Sequence, residues 1–199
     1  MTISDYASLL VDAGEYSGRD DVAHLFPRFV GLAEAKFNRA LRVGDMEVIG
    51  TIALTEGDAD LPDDFLEARE VLSACGRQLR AWSVQSLSDR FGPYGGPPAG
   101  YAIVGKRIMA RPKASENITV IYYGKIPPLT PQSPTNWLLE KAPDVYLYGL
   151  VEEIAIWERE PAKVQAAQSL RVQAMQGLAL LDERMRWGNS RVTVGGPTP

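Results

Sequence analysis

Few residues in this 199-residue sequence have the type and spacing that chemistry demands. Glu152 and Glu153 form a carboxylate pair within a helical stretch, the raw material of a general acid and base or of a two-metal site. Adjacent helix positions diverge by about 100°, and no Glu-x-x-His accompanies the pair. It reads instead as a polar stripe on a central helix, and either carboxylate, if buried, should have a cationic partner across an interface. Asp58, Asp60, Asp63 and Asp64 cluster between Glu56 and Phe65 and could offer oxygen ligands to calcium. The stretch lacks the glycine and terminal glutamate spacing of an EF-hand, so a solvated turn, packed down by Leu61, Pro62 and Phe65, is the better reading. A hydrolase drawing on Asp63, Asp64, Glu152 or Glu153 would require a pocket that brings two of them together.

His24 is the sole histidine, with no serine, cysteine or acid at a diagnostic spacing, so no hydrolytic triad can be assembled around it. The glycines at 92, 95, 96 and 100 do not make a phosphate cradle: Pro93, Pro97 and Pro98 remove backbone donors between them, and no Gly-Lys-Ser/Thr follows. Cys75, the single cysteine, cannot form an internal disulfide and reads as a small buried hydrophobe in a reducing compartment. The tryptophans 82, 137 and 157 read as core, whereas Trp187, at a helix end, reads as a contact residue. No catalytic residue, metal ligand or cofactor is expected.

The elements that position these residues follow from hydrophobic period. Ile3 to Ala13 reads as a short helix capped by Thr2 or Ser4 and broken at Gly14 and Gly18. From Asp21 to Leu41 apolar residues recur at three- and four-residue steps, with Pro27 expected to kink the helix or split off its first turn. Between Met46 and about Pro131 the runs become short and β-branched: Val48 to Thr55, Leu66 to Ser73, Tyr101 to Ala110 and Ile118 to Tyr123. Gly105-Lys106 suggests a tight hairpin, and Ser83 can cap a short helix through Phe91. Gly92 to Gly100 and Pro127 to Pro134 are Pro/Gly-dense connectors.

Two long helical patterns follow. Asp144 to Glu158, opened by Pro143, is apolar almost all round and therefore central. A second runs to about Trp187 with Val164, Ala167, Leu170, Ala174, Leu178, Leu181 and Met185 on one stripe and Gln165, Gln168, Arg171, Gln173, Gln176 and Glu183 on a wet face. That helix would be roughly 35 Å long.

The fold class is therefore α+β: residues 1–44 and 135–187 as a helical bundle, 45–134 as a β-rich insertion, and 188–199 as an extended tail. The net charge of −4 and the scattering of the 21 Lys and Arg residues exclude a phosphate-gripping surface. The N-terminus does not read as a signal peptide, and the longest nearly apolar run, Val145 to Val151, is too short to span a membrane. The cytoplasm before assembly is the expected location.

Four stretches resemble the head-to-tail adaptor, or head-completion, proteins of short-tailed and related phages. They are Leu32–Val43, Leu61–Val71, Gly100–Pro112, and Tyr122–Leu129 running into Pro134–Tyr148. The resemblance implies a virion protein without an active site. It would form a ring, a dodecamer, between the portal protein and the tail nozzle or tube, with DNA passing through the lumen unbound. On this reading Leu170, Leu178, Leu181 and Met185 pack on the bundle. Arg184, Arg186, Trp187, Arg191, Val192 and Val194 reach the portal or a neighbouring subunit, and Pro93, Tyr94, Pro97, Pro128 and Leu129 face the tail. A tail-completion protein from elsewhere in the particle and a small-partner-binding regulatory module are the alternative readings.

Overall fold

A computed structural model describes residues 3–187. Along the chain come α1 (Tyr6–Ser17), a 3-10 turn (Asp20–Leu25), α2 (Phe26–Ala40), β1 (Glu47–Ala53), β2 (Asp58–Asp60), β3 (Phe65–Leu72), β4 (Arg80–Ala81), α3 (Val84–Phe91), β5 (Gly100–Val104), β6 (Arg107–Arg111), β7 (Asn117–Gly124), α4 (Trp137–Lys141), α5 (Pro143–Glu158) and α6 (Pro161–Trp187). Helix and strand are both well represented, which places the chain in the α+β class. It divides into two compact units, residues 1–44 with 126–199, and residues 45–125.

In the helical unit α5 packs against α1, α2, α4 and α6. Its buried face carries Val145, Tyr146, Leu150, Val151, Ile154 and Ala155. Phe37 of α2, fully buried, meets Tyr146 edge-on at 5.3 Å between ring centroids. The crossing is close because Gly149 has no side chain: a Cβ there would sit 2.5 Å from Phe37 Cζ. Pro27 occupies the first turn of α2, where its missing N–H costs nothing, and the preceding residues form the separate 3-10 turn.

The N-terminal helix begins later than its sequence suggested. Asp5, not Thr2 or Ser4, is the cap, because Asp5 Oδ1 accepts the Ser8 N–H while Ser8 Oγ accepts the Asp5 N–H. Gly14 lies inside α1, and the helix ends in a left-handed turn at Gly18.

The other unit holds two sheets, β1-β7-β3 and β2-β6-β5-β4, with β4 parallel to β5 and the remaining pairs antiparallel. Along β7 the alternation buries Ile118, Val120 and Tyr122, the period of a half-covered strand. These join Ile52, Val71, Tyr101 and Ile108 in one core drawn from both sheets. β5 and β6 form the hairpin about Gly105-Lys106, with φ of 58° at Gly105. α3 packs on that hairpin through Leu87, and Ser83 caps it by accepting the Ser86 N–H.

Cys75 and Trp157 contradict their sequence reading. Cys75 is exposed, since it sits at the turn after β3, where Ser73 Oγ lies 3.2 Å from its sulfur. That hydrogen bond, first among several influences, pulls the thiol below its ordinary pKa. Trp157 is about half exposed at the end of α5, with the Arg19 guanidinium 5.4 Å from its ring centroid.

Candidate functional site

The carboxylate pair is a structural crosslink. Glu152 accepts hydrogen bonds from Lys36 of α2 at 2.6 Å and from Arg171 of α6 at 2.6 Å. Lys36 Nζ also stands 2.5 Å from Glu153 Oε1 as an ion pair. Burial alone would raise the Glu152 carboxyl, but the hydrogen bonds from Lys36 and Arg171 outweigh it and hold the group below its usual range. A carboxylate that stays charged and saturated with cationic donors has no proton to trade. The cations expected across an interface come from this chain's own helices.

Meeting Glu152 requires Arg171 to lie inward, which corrects the wet face assigned to it. The buried positions of α6 are Ala167, Arg171, Met175, Leu178 and Asp182. Relative to the expected stripe the helix is rotated, and Leu181 and Met185 turn outward at 54% and 69% exposure instead of packing on the bundle.

A second buried polar group was missed. Glu34 belongs to the α2 stripe with Phe26, Phe29, Val30, Ala33 and Phe37, so its spacing alone marked it as inward-facing. Its Oε1 accepts the Leu129 N–H at 2.8 Å and the Tyr146 hydroxyl at 3.0 Å. Asn136 donates to Tyr146 Oη and to the Pro127 carbonyl, and Asn38 Oδ1 accepts the Ile126 N–H. Burial raises both the Glu34 carboxyl and the Tyr146 hydroxyl above their ordinary values. The network ties residues 126–136 down onto α2. Leu129, assigned to a tail-facing surface, is 4% exposed and serves as the plug of its own loop, while Pro128 is exposed.

The acids of the strand-rich unit do not converge. Asp58 and Asp60 belong to β2 rather than to a free turn, because Asp58 pairs with Met109 and Asp60 with Arg107 in the ladder to β6. Asp58 takes an ion pair from buried Arg111 at 3.1 Å, Asp60 from Arg107 and Asp63 from Lys106, while Asp64 accepts the Tyr122 hydroxyl. Among the described residues no group of three or more His, Cys, Asp or Glu side chains could hold a metal ion.

The 92–100 loop is braced by main-chain bonds from Gly96 N–H to Lys113 O, Lys113 N–H to Tyr94 O and Ala99 N–H to Arg111 O. It presents Pro93, Tyr94 and Pro97 outward, Tyr94 at 75% exposure. At the far end of α6, Arg184 is exposed beside Leu180, Leu181 and Met185. A groove of about 580 Å³ runs there, lined by Lys141, Tyr148, Ala174, Leu181 and Arg184 among others. Arg186 is held by Asp182 at 2.8 Å, and Asp182 Oδ1 accepts the Gly44 N–H at 2.8 Å. Trp187 closes the helix; Arg191, Val192 and Val194 lie outside the described residues.

A braced Pro/Gly loop and an apolar strip on a long helix stand exposed, features of a structural protein that works through contacts. The SU10 adaptor protein family matches residues 4–195, and the chain belongs to this family of phage head-to-tail adaptors. No curated protein matches it. Among the described residues no helix is long and apolar enough to cross a membrane.

Proposed function

We propose that the chain assembles as a dodecameric ring between the portal protein and the tail nozzle or tube of a phage virion, with DNA passing through the lumen without specific binding. The observation that carries this reading is the exposed strip Leu180, Leu181 and Met185 beside Arg184 at the end of α6, in a chain of an adaptor family. Contiguous apolar surface rimmed by charge marks a protein contact.

In this reading Arg184, Arg186, Trp187 and the segment containing Arg191, Val192 and Val194 contact the portal or a neighbouring subunit, together with Leu181 and Met185. Pro93, Tyr94, Pro97 and Pro128 face the tail, where rigid loops lose little entropy on docking. Leu129 supports that loop from beneath. Function then resides in interfaces, so no catalytic step is assigned to the chain.

The test is the mass of the purified chain, alone and mixed with the portal ring of the same phage, by sedimentation or native mass spectrometry. Saturation at one copy per portal subunit supports the adaptor ring. A fixed complex with a different small partner, and none with the portal, would overturn it.

A further inference from the structure

The two edges of the β1-β7-β3 sheet are built differently. The register of β3 against β7 shifts between Phe65 and Glu67 and again between Ala68 and Glu70, and Glu67, Arg69 and Glu70 place charges along the strand. Irregular register and charge are the means by which sheet edges refuse another strand. β1 has neither along most of its length. Its register is unbroken from Glu47 opposite Tyr123 to Ala53 opposite Asn117, and Val48-Ile-Gly-Thr-Ile-Ala53 contains no charge and no proline.

Val48, Ile49, Thr51 and Ala53 are exposed, Ile49 at 74%. Among the described residues, the main chain from Val48 to Ala53 makes no hydrogen bond beyond the ladder to β7. An unguarded, regular, apolar edge is a template for pairing, and a chain that leaves one open is prone to aggregate unless a strand covers it.

The chain carries a segment of the matching kind. Residues 188–199 follow Trp187, and within them Arg191-Val-Thr-Val194 is a β-branched run bounded by Gly188-Asn-Ser190 and Gly195-Gly-Pro197. The stretch from 188 to 199 can reach about 40 Å when extended. Val192 and Val194 alternate with Arg191 and Thr193, as a strand with one apolar face requires.

We propose that the outer edge of β1 receives the Arg191–Val194 segment of a second copy of this chain as an added strand. Main-chain hydrogen bonds supply the affinity, with no demand for a side-chain motif. A donor segment at one place and an acceptor edge at another make a head-to-tail contact, the kind that closes into a ring. The inference deepens the adaptor-ring reading and rests on it.

The experiment compares amide hydrogen exchange of residues 48–53 in the full-length chain, free at low concentration and bound to the portal ring, with the V192P/V194P variant. Those prolines remove N–H donors from the segment and alter no residue of the described fold. Exchange at 48–53 is expected to slow at least about tenfold on assembly in the parent chain and to remain fast in the variant. Slowing that persists in the variant, or that is already present in the dilute monomer, overturns the proposal; the second result would mean that the chain's own segment covers the edge. A portal-bound ring with fast exchange at 48–53 also overturns it and leaves the adaptor reading intact. Slowing on self-association that the prolines abolish, without portal binding, supports the strand exchange and overturns the adaptor ring.

Discussion

Arg171 and Glu152 meet inside the helical unit, Nε to Oε2 at 2.6 Å, with both side chains under a tenth exposed. With Lys36 on the other carboxylate oxygen, Glu152 joins α2, α5 and α6 at one point. Removing Arg171 leaves the buried Glu152 carboxylate with Lys36 as its remaining cationic donor, so Arg171→Ala is expected to cost about 1–3 kcal/mol. Urea unfolding measures it, and a loss below about 1 kcal/mol would show that the pair is solvated.

Glu34 and Glu152 should tilt the pH dependence of stability in opposite directions. Burial raises the Glu34 carboxyl above 4.5, so the folded state holds its proton more tightly than the unfolded state does. Its contribution is full below 4.5 and is lost as pH rises through the folded value. Glu152 is held below 4.5 by Lys36 and Arg171 against the effect of burial, so its contribution is present above 4.5 and lost as pH falls through the folded value. As pH rises, Glu34→Gln should gain on the parent and Glu152→Gln should fall behind it. Melting curves across pH check this, and parallel curves for both variants would contradict it.

Gly149→Ala sets two magnitudes against each other. Alanine is favoured over glycine in a helix interior by about 1 kcal/mol. Its Cβ, however, would lie 2.5 Å from Phe37 Cζ and 2.9 Å from Cε1, and Phe37 is fully buried and held against Tyr146. Overpacking of that kind costs about 1–3 kcal/mol, so a net loss and a lowered Tm are expected. An unchanged or raised Tm would mean that α2 and α5 separate easily.

Leu181 and Met185 are exposed, so L181K/M185K should change stability by no more than about 0.5 kcal/mol. Portal association in the sedimentation assay should weaken by about tenfold or more if the strip sits at the centre of the contact. Undiminished association would remove the strip from the interface.

What the sequence discloses depends on whether a residue's neighbours are local. Pro27, Pro143, Ser83 and Gly105-Lys106 act through their own turns, and each appears where the pattern placed it. Arg171 does not: its partner Glu152 lies on another helix, and the face of α6 that carries it, with Ala167, Met175 and Leu178, is the one turned inward, which leaves Leu181 and Met185 out. Glu34 lies in the α2 stripe, so its phase marks it as inward-facing although its residue type does not. β2 is too short to show a period and exists because β6 offers it a ladder. Leu129 lies in a proline-rich stretch that composition marks as loop, and its burial depends on a carboxylate far away in sequence. The proposed assembly surfaces carry no motif, because a protein contact asks for exposure and shape rather than for a fixed spacing of reactive groups.

The clasp of Asp182 between Arg186 and the Gly44 N–H anchors the far end of the long helix. Asp182 stands within two turns of the helix end at Trp187 and is tied to the backbone at Gly44, where the chain leaves the helical unit. α6 is therefore braced at its tip, and fraying of its last turns must first break the Asp182 contacts to Arg186 and to the Gly44 N–H.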